Sequence, residues 1–250
     1  MAVVNSNLVI YAAANMPQSD STTSGGAIDS GVRVTFTDPS SAAQLIIFSS
    51  SASDTGQTLA LTGRNAAGSI VSESMSLNGT SNVTSSNAFE RVLTAYLSNV
   101  GVGNVTVSGN GVNEIAEIPI GETGFLRPFY DATTSAATTK TLYEKVFVKN
   151  NNMISTLEGA TLIPVPVSGL ASKITYGIEN GKGSPQSVTD RTTVPTGVDS
   201  FGSGASGVFP NGTGNLTALD YQGVWLKLSL AASESSTNSF YAIQVSGTTL

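Results

Sequence analysis

The stretch QTLALTGRNAAGSIVSESMSL, residues 57–77, has the pattern of a β-hairpin. Two runs of alternating apolar and polar residues flank Asn65-Ala66-Ala67-Gly68, and the glycine stands where a tight turn most readily needs a positive φ. Because successive side chains of a strand point to opposite faces, one face of this hairpin collects the larger apolar residues. We expect the inward face to consist of Leu59, Leu61, Val71 and Met75.

Strand patterns lie on both sides of this hairpin. AFERVLTAYL (88–97) would be a strand, because Asn, Ser and Gly clusters flank it, although a helix is an alternative; NVTVSG (104–109) returns the chain. As a strand, 88–97 places on one side Phe89, Arg91, Leu93, Ala95 and Leu97. GVRVTFTD (31–38) and AQLIIFSSS (43–51) also predict strands, whereas the polar stretch 18–31 predicts an exposed loop. Strands at this spacing are typical of a sandwich or a barrel.

The composition changes after residues 110–121, which we interpret as a domain boundary. TLYEKVFVKNNN (141–152) alternates, so Glu144 and Lys145 should point to opposite faces of one strand. Two prolines in ATLIPVPVSG (160–169) predict an edge strand or an extended segment. YQGVWLKLSL (221–230) and NSFYAIQVSGT (238–248) predict a closing hairpin, with Trp225 in the core.

The sequence therefore predicts an all-β chain of two antiparallel β-sandwich-like domains, Ig-like or jelly-roll-like. Their expected bounds are 1–115 and 116–250, with a long loop, 181–215, inserted in the second domain. Loops of this length are uncommon unless they are functional or disordered. The tract is either a flexible insertion or an arm that is mobile in the isolated chain and becomes ordered against a neighbouring subunit. The candidate assembly contacts of such an arm are Val188, Val194, Val198, Phe201, Val208 and Phe209.

Charge and residue content narrow the possible functions. Only 11% of the 250 residues are charged, the net charge is -6, and the chain has no cysteine and no histidine. A Ser-His-Asp site, a cysteine nucleophile and a thiolate zinc site are therefore impossible. We expect no enzyme activity, no cofactor, and no catalytic, cofactor-binding or metal-binding residues. The sequence has no basic run and no apolar stretch long enough to span a bilayer, so we expect neither nucleic acid nor a membrane as a partner.

Several stretches together resemble structural proteins of the virions of tailed bacteriophages. These stretches span most of the chain: LVIYAAANMPQSDSTTSGGAIDSGVRVTFTD, GRNAAGSIVSESMSLNGT, AFERVL, YEKVFVKNNN and GVWLKLSLAASESSTNSF. The resemblance implies a repeated building block of the particle. It also implies that the chain is found in the virion, which is assembled in the host cytoplasm.

Within that role, low charge density and the lack of catalytic residues favour a capsid decoration or cement protein, which stabilises the head through multivalent contacts. Its partners would be the major capsid protein or other virion subunits, and copies of itself in a trimer or another homo-oligomer. A tail, collar or head–tail component is an alternative. A carbohydrate-binding host-attachment module is another, because RPFYD (127–131) and FVKNNN (147–152) combine aromatic residues with polar ones.

Overall fold

The computed structural model describes residues 2–17, 19–34, 37–109, 113–132, 135, 137–166, 173–202, 207–209, 214–234 and 241–249. The chain is all-β, as predicted, with several largely antiparallel sheets and no α-helix in the described residues. Its strands are β1 (Leu8–Asn15), β2 (Ser24–Arg33), β3 (Ala43–Ser49), β4 (Thr58–Arg64), β5 (Ile70–Ser76), β6 (Val83–Phe89), β7 (Arg91–Leu97), β8 (Val105–Gly109), β9 (Asn113–Ile118), β10 (Gly124–Leu126), β11 (Lys140–Asn150), β12 (Leu157–Pro166), β13 (Ile174–Ile178), β14 (Ser187–Val188), β15 (Gly207–Val208), β16 (Tyr221–Leu230) and β17 (Tyr241–Thr249).

The chain forms two compact units, one of residues 1–29 with 128–250 and the other of residues 30–127. The N-terminal residues group with the C-terminal half because β1 pairs antiparallel with β11, from Leu8 opposite Asn150 to Ala12 opposite Val146. This division differs from the expected domains, 1–115 and 116–250, whose independent folding stays a prediction. The expected linker 110–121 contains β9, which pairs with β8 from Val105 opposite Ile118 to Gly109 opposite Asn113.

The unit of residues 30–127 has two sheets that share one hydrophobic core. One sheet contains the end of β2 followed by β10, β7, β4 and β5, with β10 parallel to β2, and the other has the order β6-β3-β8-β9. Both sheets supply fully buried residues, such as Leu45 and Ile47 from β3 and Leu59 and Leu61 from β4. The inward face expected for the 57–77 hairpin is confirmed, because Leu59, Leu61 and Met75 are buried there and Val71 packs against them.

The turn of this hairpin has the predicted form. The Asn65 side-chain carbonyl accepts hydrogen bonds from the amides of Ala67 and Ser69, each at 3.1 Å. Gly68 has a φ of 76°, a conformation that side chains with a Cβ rarely adopt. The pairing of β4 with β5 then runs from Arg64 opposite Ile70 to Thr58 opposite Ser76.

The expected single strand over 88–97 is wrong, because the chain bends at Glu90 between β6 and β7. In β7, Thr94 pairs with Thr62 and Val92 with Gly63, which leaves Leu93 as an extra residue. Such a bulge shifts the alternation of faces by one position. The shared core therefore receives Phe89, Val92, Ala95 and Leu97, and not the expected common face that includes Arg91 and Leu93.

The unit of residues 1–29 and 128–250 also has two sheets. The larger has the order β13-β16-β11-β1-β2, with β14 paired to β2, and the smaller has the order β15-β12-β17. β2 begins at Ser24, so the expected exposed loop over 18–31 is wrong in its second half. The expected closing hairpin is also wrong, because β16 pairs with β11 and β13 whereas β17 pairs with β12.

The proline-containing segment was expected to be an edge strand or an extended segment. In the structure it forms part of β12, which lies between β15 and β17. β15 pairs with β12 at Thr161 and Leu162, and Pro164 and Pro166 pair with β17. Proline has no amide hydrogen, and it is tolerated where one side of the strand needs no hydrogen bond. Among the described residues, β12 is therefore a central strand over 161–162, and no strand pairs with its prolines on the side opposite β17.

Candidate functional site

Most of the predicted assembly contacts pack within their own chain. Val188 is buried with Tyr143 and Trp225, and Val198 and Phe201 pack against the same cluster. The ring centroids of Phe201 and Tyr143 are 5.5 Å apart. Trp225 is fully buried, as predicted for a core residue.

The other three predicted contacts are separate from that cluster. Phe209 is fully buried, and Val194 is 60% exposed. Val208 lies in β15, and its side chain is outside the described residues. The structure thus brings together three of the six predicted contacts, and the pairing of any of them with a neighbouring subunit stays a prediction.

Residues 181–202 of the long tract are bonded to the larger sheet by backbone hydrogen bonds. Val188 pairs with Ser24 through β14, and the Gly26 amide donates to the Gln186 carbonyl at 2.7 Å. Gly202 and Tyr176 exchange two hydrogen bonds of 3.1 Å. This segment therefore adds to the edges of the sheet, and we name it the 181–202 strap.

Arg191 in the strap is the centre of a buried ionic cluster on one face of β11. Its Nη1 lies 2.7 Å from Asp131 Oδ1 and 3.2 Å from Glu144 Oε1, and its Nη2 lies 2.9 Å from Asp20 Oδ1. Lys140 also pairs with Asp20. The second oxygen of Glu144 accepts a hydrogen bond from the Phe129 amide at 2.8 Å. The cluster thus fixes the strap, the 128–132 segment and Asp20 to β11.

The opposite face of β11 holds a second buried pair, Lys145 with Glu179. Lys145 Nζ lies 2.6 Å from Glu179 Oε2 and donates to the Ser184 carbonyl at 2.7 Å. It also lies 4.7 Å from the Phe147 ring centroid, where an ammonium is attracted to the π face. The buried ammonium therefore has a backbone carbonyl of the 181–202 strap as an acceptor, in addition to the Glu179 carboxylate. A buried lysine requires such partners.

Burial shifts the proton affinity of both neighbouring charges on β11. It raises the pKa of Glu144 to about 8, against the lowering effect of the Phe129 amide and Arg191. It lowers the pKa of Lys145, against the raising effect of Glu179. Shifted pKa values occur at catalytic sites and also in structural ionic networks. Here Glu144 and Lys145 are both almost completely buried, so the arrangement favours a structural role.

A third buried charge, Asp54, organises loops in the unit of residues 30–127. Its carboxylate accepts hydrogen bonds from the Ser49 hydroxyl at 2.5 Å, the Gln57 amide at 3.0 Å, and the backbone amides of Val102 and Gly103 at 2.8 and 2.9 Å. Burial alone would raise the pKa of Asp54, but these four donors hold it below its usual value. With its lone pairs satisfied, Asp54 connects the 49–57 and 102–103 segments and has little capacity for an outside ligand.

Most of the basic side chains form ion pairs with carboxylates of the same chain. All eleven Lys and Arg residues belong to the described part of the chain. At least eight of them form ion pairs with carboxylates of the same chain: Arg33, Arg91, Arg127, Lys140, Lys145, Lys173, Lys182 and Arg191.

Several exposed apolar residues lie in the segments that hydrogen-bond to Asn152. The Asn152 carbonyl accepts from the Leu219 amide at 3.2 Å, its side chain donates to the Ala2 carbonyl at 3.2 Å, and its side-chain oxygen accepts from the Ile154 amide at 2.9 Å. At least half of the surface is exposed for four apolar residues of these segments: Val4, Met153, Ile154 and Leu219. Leu219 also has a φ of 62°, which is uncommon for a side chain with a Cβ.

Arg191 and Glu179 are the site residues that sequence reasoning missed. Arg191 belongs to a polar tract without periodicity, and Glu179 is a polar residue directly after the alternating residues of β13, so neither position gave an indication of burial. The available signal was in β11, where Glu144 and Lys145 interrupt an otherwise apolar run that carries Leu142, Val146 and Val148. Because adjacent side chains of a strand point to opposite faces, two adjacent charged residues in a buried strand need a hydrogen-bonding or oppositely charged partner on each face.

The described residues contain no group of three or more acidic side chains arranged to hold a metal ion. They also contain no helix of the length and hydropathy needed to cross a membrane. No protein-family model, no curated protein and no solved structure matches the chain.

Proposed function

We propose that the chain is a non-enzymatic structural protein of a tailed-bacteriophage virion, and that it is a capsid decoration or cement protein. The observation that carries the proposal is the distribution of charge. At least eight of the eleven basic residues pair within the chain and only 11% of all residues are charged, so the exposed charges are diluted among neutral Ser, Thr, Asn and Gly and scattered apolar side chains. A surface of this kind can be desolvated against other subunits at low electrostatic cost.

The all-β architecture supports the same role. Two sheets with one core in residues 30–127 are what a sandwich-like module of this kind would need, whether Ig-like or jelly-roll-like. Exposed apolar residues in both units, such as Ile120 in one and Met153 in the other, offer small contact areas. Weak contacts of this size become strong when a lattice repeats them.

The proposal is tested by the location and copy number of the chain in purified particles. Quantitative mass spectrometry should find hundreds of copies per particle, and cryo-electron microscopy should place the density on the outside of the head, in contact with the major capsid protein. About a dozen copies or fewer would favour the tail, collar or head–tail alternative. Absence from washed particles would contradict a virion role altogether.

A carbohydrate-binding role has less support from the geometry. Trp225 has no exposed surface, so it cannot serve as a stacking platform for a sugar. Phe129 and Phe147 are also buried. Glycan binding by the intact chain in an array would nevertheless revive this alternative.

A further inference from the structure

β17 forms one edge of the small sheet in the unit that contains the termini. It has 9 residues and pairs with β12 from Thr249 opposite Leu157 to Tyr241 opposite Pro166. The strand order β15-β12-β17 leaves its second side without a strand among the described residues. A backbone edge of this length carries several amide and carbonyl groups that can pair with another strand.

Three other edge strands of the described sheets, β13, β6 and β9, are covered or charged. β13 is covered by the strap, since Tyr176 pairs with Gly202 and Glu179 pairs with Val198. The edge of β6 is capped by the Glu73 carboxylate of β5, which accepts from the amides of Ser86 and Asn87 at 2.7 and 2.9 Å.

The same protection is found at β9. This strand carries Glu114 and Glu117, and the Thr37 amide donates to its Ile115 carbonyl at 2.9 Å. Covering segments and edge charges are the usual means by which sheet edges are kept from pairing with other chains.

Among the described residues, β17 has neither form of protection. Its sequence, YAIQVSGTT, contains no charged residue and no proline. In this it differs from β6, β9 and β13, and such an edge is open to pairing with another strand.

We propose that β17 pairs antiparallel with β17 of a second copy of this chain about a two-fold axis, which joins two three-stranded sheets into one of six strands. A two-fold contact uses the same surface on both copies, so the strand must be compatible with itself. β17 meets this condition because self-pairing brings no like charges together, whereas self-pairing of β9 would bring the Glu114 and Glu117 carboxylates of both copies into one contact. The proposal rests on the assembly role proposed above and names one of its self-contacts.

The first test is the mass of the chain in solution. Light scattering should give twice the 25.5 kDa of the monomer. Gln244 is exposed on β17, so Gln244→Lys should keep the fold and place like charges in the contact, which returns the mass to that of the monomer. The matched control is Ser74→Lys, at an exposed position of β5, and it should leave the mass doubled. A monomeric wild-type chain, or a dimer that Gln244→Lys does not weaken, overturns the proposal.

The second test uses the absence of cysteine from the chain. Single cysteines are placed in turn at 242, 243, 244, 245, 246 and 248, and disulfide formation between copies is measured under mild oxidation. In a two-fold antiparallel pair one position lies opposite itself, so one variant should cross-link many-fold faster than those two or more residues away. Uniform or negligible cross-linking overturns the pairing. This result is independent of where the chain is found in particles, so failure here is distinguishable from failure of the virion role.

Discussion

Glu144 and Lys145 are consecutive residues of β11 whose side chains point to opposite faces of the strand. Each is paired with a side chain from the 179–191 region, Glu144 with Arg191 and Lys145 with Glu179. Glu144 Oε1 lies 3.2 Å from Arg191 Nη1, and Lys145 Nζ lies 2.6 Å from Glu179 Oε2. Strand alternation makes the two contacts independent of each other. Both attach the same region of the chain to the central strand, and loss of Glu179 would leave the buried Lys145 ammonium without its carboxylate partner.

Replacing Glu144 with glutamine should remove a pH-dependent loss of stability. Burial raises the pKa of Glu144 from 4.5 to about 8, so between these values the folded chain binds more protons than the unfolded chain. The stability that Glu144 contributes to the folded chain is fully present below pH 4.5. It is lost as the pH rises towards about 8, by up to about 1.4 kcal/mol per pH unit. Urea unfolding at a series of pH values from about 5 to about 8.5 should show that the unfolding free energy of Glu144→Gln increases relative to that of the wild type as the pH rises.

The matched control for this prediction is Glu114→Gln, at an exposed carboxylate of β9. Its stability relative to the wild type should be nearly constant over the same pH range. Parallel pH curves for the wild type and Glu144→Gln would show that Glu144 does not carry a proton in the folded chain near neutral pH.

Replacing Lys145 with methionine should strongly destabilise the unit that contains it. The change leaves the Glu179 carboxylate buried beside apolar rings, and such a loss costs about 3–5 kcal/mol of unfolding free energy. The double variant Lys145→Met with Glu179→Gln should recover most of this loss, because no charge is then buried. Lys149→Met, on the same strand and the same face but only partly buried, should cost about 1 kcal/mol or less. Equal losses for the two lysine variants would contradict a buried ionic pair.

The local features of the fold were predictable from the sequence. The 57–77 hairpin has alternation, a turn sequence and a glycine that act within a few residues, so its strands, turn and core face were all predicted. The opposite orientation of Glu144 and Lys145 follows from alternation in the same way.

The remaining features depend on contacts between distant residues. The pairing of β12 with β17 leaves no local pattern in either strand, so the expected closing hairpin was wrong. The second half of the expected loop 18–31 was wrong because it belongs to β2, whose partner β14 lies far along the chain. The bulge at Leu93 arises from pairing with β4, and nothing near Leu93 in the sequence specifies it. Arg191 lies in a polar tract, and its burial depends on three carboxylates from separate segments.

Introducing an acid at Leu61 should unfold the unit of residues 30–127. Leu61 is 1% exposed in the core shared by the two sheets, and an unpaired carboxylate there costs several kcal/mol, a large part of a typical stability of about 5–15 kcal/mol. Its neighbour Ala60 is exposed on the same strand, so Ala60→Asp should cost about 1 kcal/mol or less. Thermal unfolding monitored by circular dichroism compares the two. A melting temperature for Leu61→Asp within a degree or two of the wild type would show that the register of β4 is wrong.

Adding one methyl group at Gly25 should be much more harmful than adding one at Gly56. Gly25 has a φ of 95°, and a Cβ there would lie 2.7 Å from both the Gln186 carbonyl oxygen and the Trp225 ring. Overpacking costs about 1–3 kcal/mol, and the backbone conformation adds about 1–2 kcal/mol for a residue with a Cβ. Gly56 has no atom within 4 Å of the added carbon, so Gly56→Ala should change the unfolding free energy little. Similar urea midpoints for the two variants would contradict the close contact between β2, the strap and Trp225.

Replacing Arg191 with glutamine should release the 181–202 strap from the sheet while the rest of the chain stays folded. The change removes the cation that faces Asp20, Asp131 and Glu144, so three acidic groups are left close together. The amides of Tyr143 and Gly26 donate to the strap carbonyls of Arg191 and Gln186, so their hydrogen exchange should accelerate at least tenfold. Arg64→Gln, on the hairpin of the other unit, is the control and should leave both amides protected. If these amides exchange rapidly in the wild-type chain as well, the strap is mobile before assembly and the interpretation of 181–215 as an arm gains support. If they are protected in the wild type and in Arg191→Gln alike, Arg191 does not hold the strap.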